Sequence, residues 1–254
     1  SDPTYAQYAV LADGARYVHL PGEPHCNPAQ LASLGYLGDI CDDVVNDIAL
    51  NNQGMIYIIG DTALPGSGGS ETCSSTDVFV AKLDPTATEI LAVTSFGGNE
   101  RDYGKSLAID SAGDIYVGGY TLSTEDTFPV SVGPDLSSNG SWDGLVAKLD
   151  GESLELEYLG FIGGAGIDYV FAGAVDAQGA FFVAGMTDST EETFPTAGGP
   201  DSTYNGSVDG FVAKVAPDGS ALEFAGYFGG AASDLISDIV LDSGWLYLTG
   251  ETTS

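Results

Sequence analysis

Short apolar runs of four to nine residues, each bounded by Gly, Asp, Ser or Asn, alternate with polar stretches along most of the chain. One group reads Ser106-Leu-Ala-Ile-Asp110, Ile115-Tyr-Val-Gly-Gly-Tyr120, Gly144-Leu-Val-Ala-Lys-Leu149 and then residues 154–162. Runs of this length, rich in β-branched and aromatic residues and closed by turn formers, predict strands. No window sustains apolar residues at helical spacing. The second run of each group is nearly continuous rather than alternating: Met55-Ile-Tyr-Ile-Ile-Gly60, Asp114-Ile-Tyr-Val-Gly-Gly119, Ala180-Phe-Phe-Val-Ala-Gly185 and Trp245-Leu-Tyr-Leu-Thr-Gly250. A strand with water on one face alternates, so these predict burial on both faces. The hairpins ahead of them, Asn51-Asn-Gln-Gly54, Asp110-Ser-Ala-Gly113 and Asp176-Ala-Gln-Gly179, put Asx first and Gly last. That order predicts an Asx turn closed by a Gly at positive φ.

The groups repeat. Asp77-Val-Phe-Val-Ala-Lys82-Leu returns 66 residues on as Asp143-Gly-Leu-Val-Ala-Lys148-Leu, and again as Asp209-Gly-Phe-Val-Ala-Lys214-Val. Gly97-Gly98 with Asp102 returns as Gly163-Gly164 with Asp168 and Gly229-Gly230 with Asp234; a weaker copy, Gly38-Asp39 with Asp43, lies 59 residues upstream. A fixed period of this length marks a repeat architecture whose units cannot each bury a core alone. Four-stranded antiparallel units, apolar on both faces, stack as the blades of a β-propeller. The expected fold is therefore all-β: one propeller domain over 1–254, with about four to five blades. Its parts are a partial or closing blade at 1–42, blades at 43–101, 102–167 and 168–233, and a half blade at 234–254.

Residues 8–20 align in two ways. They match the first two strands of a blade beside 238–250, which leaves unpaired edges. Alternatively, Ala12-Asp-Gly14 matches Ala216-Pro-Asp-Gly219; the segment then supplies third and fourth strands that complete the C-terminal half blade and close a ring. An open arc would be either a piece of a longer propeller or a blade completed by strands from a neighbouring subunit.

Charge narrows the function classes. Six basic residues face 37 acidic ones, a net charge of −31. That excludes a nucleic-acid backbone as partner and disfavours an anionic membrane surface. It suits solubility by self-repulsion, a high-salt habitat, or binding of cations such as calcium. The 36 glycines fit many tight turns. No apolar run approaches the ~20 residues of a membrane helix. The opening Ser1-Asp2-Pro3 reads as a processed or trimmed chain. Cys26, Cys41 and Cys73 contain no Cys-x-x-Cys pair; in an exported protein they allow one disulfide and a spare thiol, with the pairing open.

Two loops carry a more specific pattern. Gly119-Tyr-Thr-Leu-Ser-Thr-Glu-Asp-Thr-Phe128-Pro129 and Gly185-Met-Thr-Asp-Ser-Thr-Glu-Glu-Thr-Phe194-Pro195, with Tyr204-Asn-Gly-Ser-Val-Asp-Gly-Phe-Val-Ala-Lys214, the Gly-Gly corner and the Asp-x-x-Gly turn, resemble the SBBP-type β-propeller repeat of bacterial and archaeal surface proteins. The likeness covers 43–254, closely at 102–162 and 168–228. The copy at 43–96 lacks Phe-Pro and carries Cys73 instead. The resemblance implies a secreted or surface-displayed repeat protein and offers no common catalytic residues.

The candidate chemistry is sparse. Asp43, Asp102, Asp168 and Asp234 share one repeat position; they are either calcium ligands or caps accepting backbone N–H groups at the corners. Lys82, Lys148 and Lys214 are half of all basic residues and are expected to neutralise carboxylates. His19, and His25 beside Cys26, have no metal-ligand spacing. Asn139-Gly-Ser141 and Asn205-Gly-Ser207 are at once tight turns and glycosylation sequons. No nucleophile elbow, Walker loop or His-Glu-x-x-His occurs. The first strands look plain, with Leu107-Ala-Ile, Ala174-Val and Ile239-Val-Leu. The expectation is a non-enzymatic extracellular structural or adhesive module, able to polymerise through shared strands or bind other surface proteins. Its contact surface would be the loops 61–76, 121–142 and 187–208. The alternative is a carbohydrate-binding or hydrolytic propeller with a site at the axial channel.

Overall fold

The computed structural model describes residues 43–65 and 73–254, and by backbone alone the strands at 7–11, 16–19 and 31–35. At 63–65 and 73–74, too, only the backbone is described. Among these residues every regular element is a strand.

Three sheets have four strands in simple meander order. The first joins β4 (Asp43–Leu50), β5 (Ile56–Pro65), β6 (Cys73–Leu83) and β7 (Ile90–Phe96). The second joins β8 (Asp102–Ile109), β9 (Ile115–Thr121), β10 (Asp143–Leu149) and β11 (Leu156–Ile162). The third joins β12 (Asp168–Val175), β13 (Phe181–Thr187), β14 (Asp209–Val215) and β15 (Leu222–Phe228). A two-stranded sheet follows, β16 (Asp234–Asp242) and β17 (Trp245–Thr252). Near the start, β1 (Gln7–Leu11), β2 (Arg16–His19) and β3 (Leu31–Gly35) form a separate sheet in the order β2-β1-β3. These are the blades of a β-propeller. No sheet among the described residues is closed, and β17 pairs only with β16.

The turns form as their chemistry dictates. Asn51, Asp110 and Asp176 each accept the backbone N–H two residues on, at 3.0, 2.9 and 2.9 Å. Gly54, Gly113 and Gly179 complete these turns at φ of 79°, 101° and 83°, where a Cβ would be strained.

The core lies between sheets rather than within them. One cluster joins Ile59, Val78 and Val80 of the first sheet to Leu107, Val117 and Leu145 of the second. A second joins Tyr116, Val146 and Tyr158 to Val170, Phe181 and Phe211. A third joins Ala172, Ala184 and Val212 to Ile236 and Ile239. The continuous second strands are the physical cause: β9 is buried at five successive positions, so each face needs a neighbour.

In the second and third sheets the long loops fold back over their own blade's outer strand. Leu159 N donates to Val132 O at 3.0 Å, and Phe161 N to Asp135 O at 2.9 Å. In the third sheet Ala225 and Ala197 exchange bonds of 2.8 and 2.9 Å. Phe128 and Phe194, both buried, pin these loops against Phe161 and Phe211. The reason is that an outer edge needs partners for its exposed N–H and C=O groups. In the first sheet much of 61–76 is strand: Ala63 pairs Thr76, Leu64 pairs Ser75 and Pro65 pairs Cys73. The outer strand there keeps Ile90, Leu91 and Val93 exposed.

Candidate functional site

Each Gly-Gly corner brings two carboxylates together. The first Gly of the pair has no side chain, and carboxylates close in on the position its Cβ would take. At Gly163 that position lies 2.7 Å from Asp168 Oδ2 and 3.0 Å from Asp143 Oδ1. At Gly229 it lies 2.8 Å from Asp234 Oδ2 and 2.9 Å from Asp209 Oδ1, and at Gly97 2.5 Å from Asp77 Oδ1 and 2.6 Å from Asp102 Oδ2. The partner of each corner Asp is thus an Asp on the third strand of the preceding blade, Asp143 and Asp209 opening theirs and Asp77 lying within β6. The sequence holds both in register, but only the stacking of blades makes them neighbours.

The two carboxylates of a pair are served differently. Asp102 accepts Gly98 N–H at 2.7 Å, Ser123 Oγ at 3.1 Å and the Thr121 hydroxyl. Asp168 accepts Gly164 N–H at 2.8 Å, Ser189 Oγ at 2.8 Å and the Thr187 hydroxyl. Asp234 accepts Gly230 N–H at 2.6 Å and Ser254 Oγ at 3.0 Å. Asp43 opens β4 at the equivalent place; its corner, including Gly38 and Asp39, lies outside the described residues. Asp77, Asp143 and Asp209, in contrast, each keep Oδ1 buried without a hydrogen-bond donor.

Burial, followed by the neighbouring charge of Asp102, pushes Asp77 up to about 6. Burial also pushes Asp168 up to about 6, against its three donors and with Asp143 adding to the rise. Asp102, Asp143 and Asp209 are raised by burial as well. Asp234 goes the other way, lowered first by the Thr252 hydroxyl.

The lysines form a separate ladder. Lys148 Nζ lies 2.8 Å from Asp114 and 2.7 Å from Glu157; Lys214 lies 3.4 Å from Asp176 and 2.7 Å from Glu223. Lys82 reaches Glu152 of the next blade at 2.7 Å. Each ammonium sits over the ring of its cross-strand partner, Tyr57, Tyr116 or Phe182. Lys148 also fills the cluster of Asp114, Asp150 and Glu157, which could otherwise hold a cation.

The sequons are exposed, with Asn139 Nδ2 donating to Asp135 Oδ2 at 2.6 Å and Asn205 Nδ2 to Asp201 Oδ2 at 3.1 Å. Cys26, Cys41 and His25 lie outside the described residues, and Cys73 and His19 are placed by backbone alone.

One feature breaks the repeat, and the plain look of the first strands gave no sign of it. Tyr120 is the hub of an aromatic ledge, with ring centroids 5.1 Å from Tyr103, 5.4 Å from Trp142 and 4.1 Å from Tyr169. Phe171 adjoins Tyr169 at 5.8 Å. Lys105 Nζ stands 4.8 Å from the Tyr103 ring centre and 3.0 Å from Asp61. Asp61 also accepts Asn46 Nδ2 at 2.8 Å and Gly104 N–H at 2.9 Å, which ties the first two blades together. A signal was present: Lys105 is the one lysine outside the 66-residue register. The residue after the second-strand Gly varies as Asp61, Tyr120, Met186 and Glu251.

A third feature is the half blade of β16 and β17. A groove of about 590 Å³ runs beside β17, lined by Leu248, Glu251, Tyr227 and Phe228 among others. Phe228 is 51% exposed, whereas its equivalents Phe96 and Ile162 are 5% and 1% exposed under complete blades.

Residues 93–125 match the model of the SBBP beta-propeller repeat. The chain is also similar to "Regulatory protein FlaEY" of Caulobacter vibrioides (strain ATCC 19089 / CIP 103742 / CB 15), with 29% identity over 198 residues. That alignment covers 75% of this chain and 20% of the relative, so this chain spans about a fifth of the relative's length.

Proposed function

We propose that this chain is a non-enzymatic extracellular structural and adhesive module, joined to its neighbours by strands added across an open blade edge. The carrying observation is β17. In each complete blade the second strand is paired on both sides, but among the described residues β17 is paired on one. Beside it Trp245 is 71% exposed and Tyr247 57%. A half blade takes two further strands, from the same polypeptide or from a neighbour, and head-to-tail recruitment from neighbours that does not close builds a filament. The repeat's likeness to surface proteins and the acidic composition support the extracellular placement. The word "regulatory" in the Caulobacter relative's name fits a module that acts by contact. Electron microscopy of concentrated native protein tests this reading: chains of linked propellers are expected, and discrete monomers at the highest concentration defeat it.

The aromatic ledge favours a second reading, glycan binding. Half-buried rings give flat apolar platforms for sugar faces, while Lys105 and Asn46 supply hydrogen-bonding groups. A glycan array probed with the wild-type protein and Trp142→Ala tests it. Binding lost in the variant supports the reading, whereas glycan turnover would make the chain an enzyme.

A further inference from the structure

At two blade junctions, a buried carboxylate oxygen without a hydrogen-bond donor lies beside main-chain carbonyls. Asp209 is fully buried, with Oδ2 accepting Asn205 N–H at 2.8 Å and Oδ1 accepting nothing. Next to it, Gly206 presents a face without a side chain. The position a Cβ would take there lies 2.9 Å from Asp209 Oδ1, 3.0 Å from Gly230 O and 2.0 Å from Ala232 O. On the other side, across Gly229, stands Asp234 Oδ2.

The junction one blade earlier repeats the arrangement. Asp143 is 1% exposed; its Oδ2 takes Asn139 N–H at 2.8 Å and Gly140 N–H at 3.4 Å, leaving Oδ1 without a donor. The Ser138 hydroxyl hydrogen-bonds this carboxylate without reaching Oδ1. Around the Cβ position of Gly140 lie Gly166 O at 2.2 Å, which also accepts Ser141 N–H at 3.2 Å, and Gly164 O at 2.8 Å.

Among the described residues no lysine or arginine forms an ion pair with Asp143, Asp168, Asp209 or Asp234. A buried carboxylate oxygen lacking both donor and counter-charge is costly. When backbone carbonyls face it, the missing member of the set is a cation. Carboxylate and main-chain oxygens are the ligands of calcium, which takes six to eight at flexible geometry and accepts water for the remainder. Ala231 and Ser207 are exposed beside the Asp209 site, so water and ions can reach it.

The geometry points to calcium sites at the blade junctions, one built on Asp209 Oδ1 with the carbonyls of Gly230 and Ala232, the other on Asp143 Oδ1 with those of Gly164 and Gly166. The ligating carboxylate is the Asp that opens the third strand. The corner Asp behind it, already engaged by hydroxyls and an amide, contributes charge across the glycine.

Calorimetric titration with calcium chloride and melting curves in calcium or EDTA at matched ionic strength test the assignment. The intact chain is expected to bind at least two calcium ions and to melt several degrees higher with calcium than with EDTA. Asp209→Asn should bind one ion fewer while keeping its circular dichroism, because the amide can turn its NH2 toward Gly230 O. Asp218→Asn, in an exposed turn, should bind as many as the wild type. Should Asp209→Asn fail to fold, terbium luminescence of the wild-type chain replaces it. Emission sensitised by Tyr204, displaced by calcium and diminished in Tyr204→Phe, supports the site. Identical melting in calcium and EDTA, an unchanged stoichiometry in Asp209→Asn, or terbium emission indifferent to Tyr204 would overturn it. A gain in EDTA produced by acid alone, with no calcium response, would assign these oxygens to a proton instead.

Discussion

Gly163 shows how a single position constrains the corner. A methyl group there would meet two carboxylate oxygens at 3.0 Å or less, so Gly163→Ala must push the pair apart. Overpacking of this kind costs about 1–3 kcal/mol, and urea denaturation should show a lower midpoint with an unchanged slope. Titration gives a second expectation at this scale. Asp77 and Asp168 titrate at about 6 in the fold, against an ordinary 3.8. A carboxyl raised by folding stabilises most when protonated, so its contribution is full below about pH 4 and is lost as pH rises through about 6. In calcium-free buffer the urea midpoint should therefore fall between pH 5 and pH 7. Asp168→Asn should flatten that fall. The opposite slope would show that the pairs are stabilised as charged groups.

Among the strands, burial is borrowed from the neighbour. Val117 of β9 is fully buried, yet its cluster includes Ile59 and Val80 of the preceding blade. Burying one such side chain contributes about 1.5–3 kcal/mol, and an excised blade loses several of these contacts on each face. A peptide spanning 102–162 should accordingly show no cooperative melt by circular dichroism; a sigmoidal transition would refute the dependence between blades. The loops act at the same scale. By hydrogen-bonding along β11 and β15, they occupy edges that would otherwise pair with other chains.

For the molecule as a whole, the half blade of β16 and β17 is a place where further strands can join. β17 carries Trp245 and Tyr247 exposed and its partner β16 carries Val240, and natural sheets block such edges with charge, lysine above all. Tyr247→Lys should abolish any assembly seen by sedimentation velocity and leave the melting temperature nearly unchanged. Assembly that persists in this variant would place the interface elsewhere. The net charge of −31 opposes association through self-repulsion. Raising monovalent salt should thus promote assembly, and calcium should do so at lower ionic strength.

The strands, their hairpin turns and the blade period were legible in the chain because they rest on local chemistry: apolar runs, Asx-Gly turns and a fixed repeat. The corner Asp residues were legible as a series, but which oxygen lacks a donor was not. That depends on Asp143 and Asp209 meeting the next blade's corner across a glycine, a contact between residues about 25 apart that no local spacing encodes. The aromatic ledge around Tyr120 arises the same way, from side chains on two adjoining blades: Tyr103 and Tyr169 share one repeat position, whereas Tyr120 and Trp142 have Met186 and Val208 as their counterparts. Local patterns fix what each segment becomes, because hydrogen bonding and burial act within a few residues. The stacking of the sheets decides which charges and rings meet, because that depends on the long-range packing of surfaces no single blade can cover.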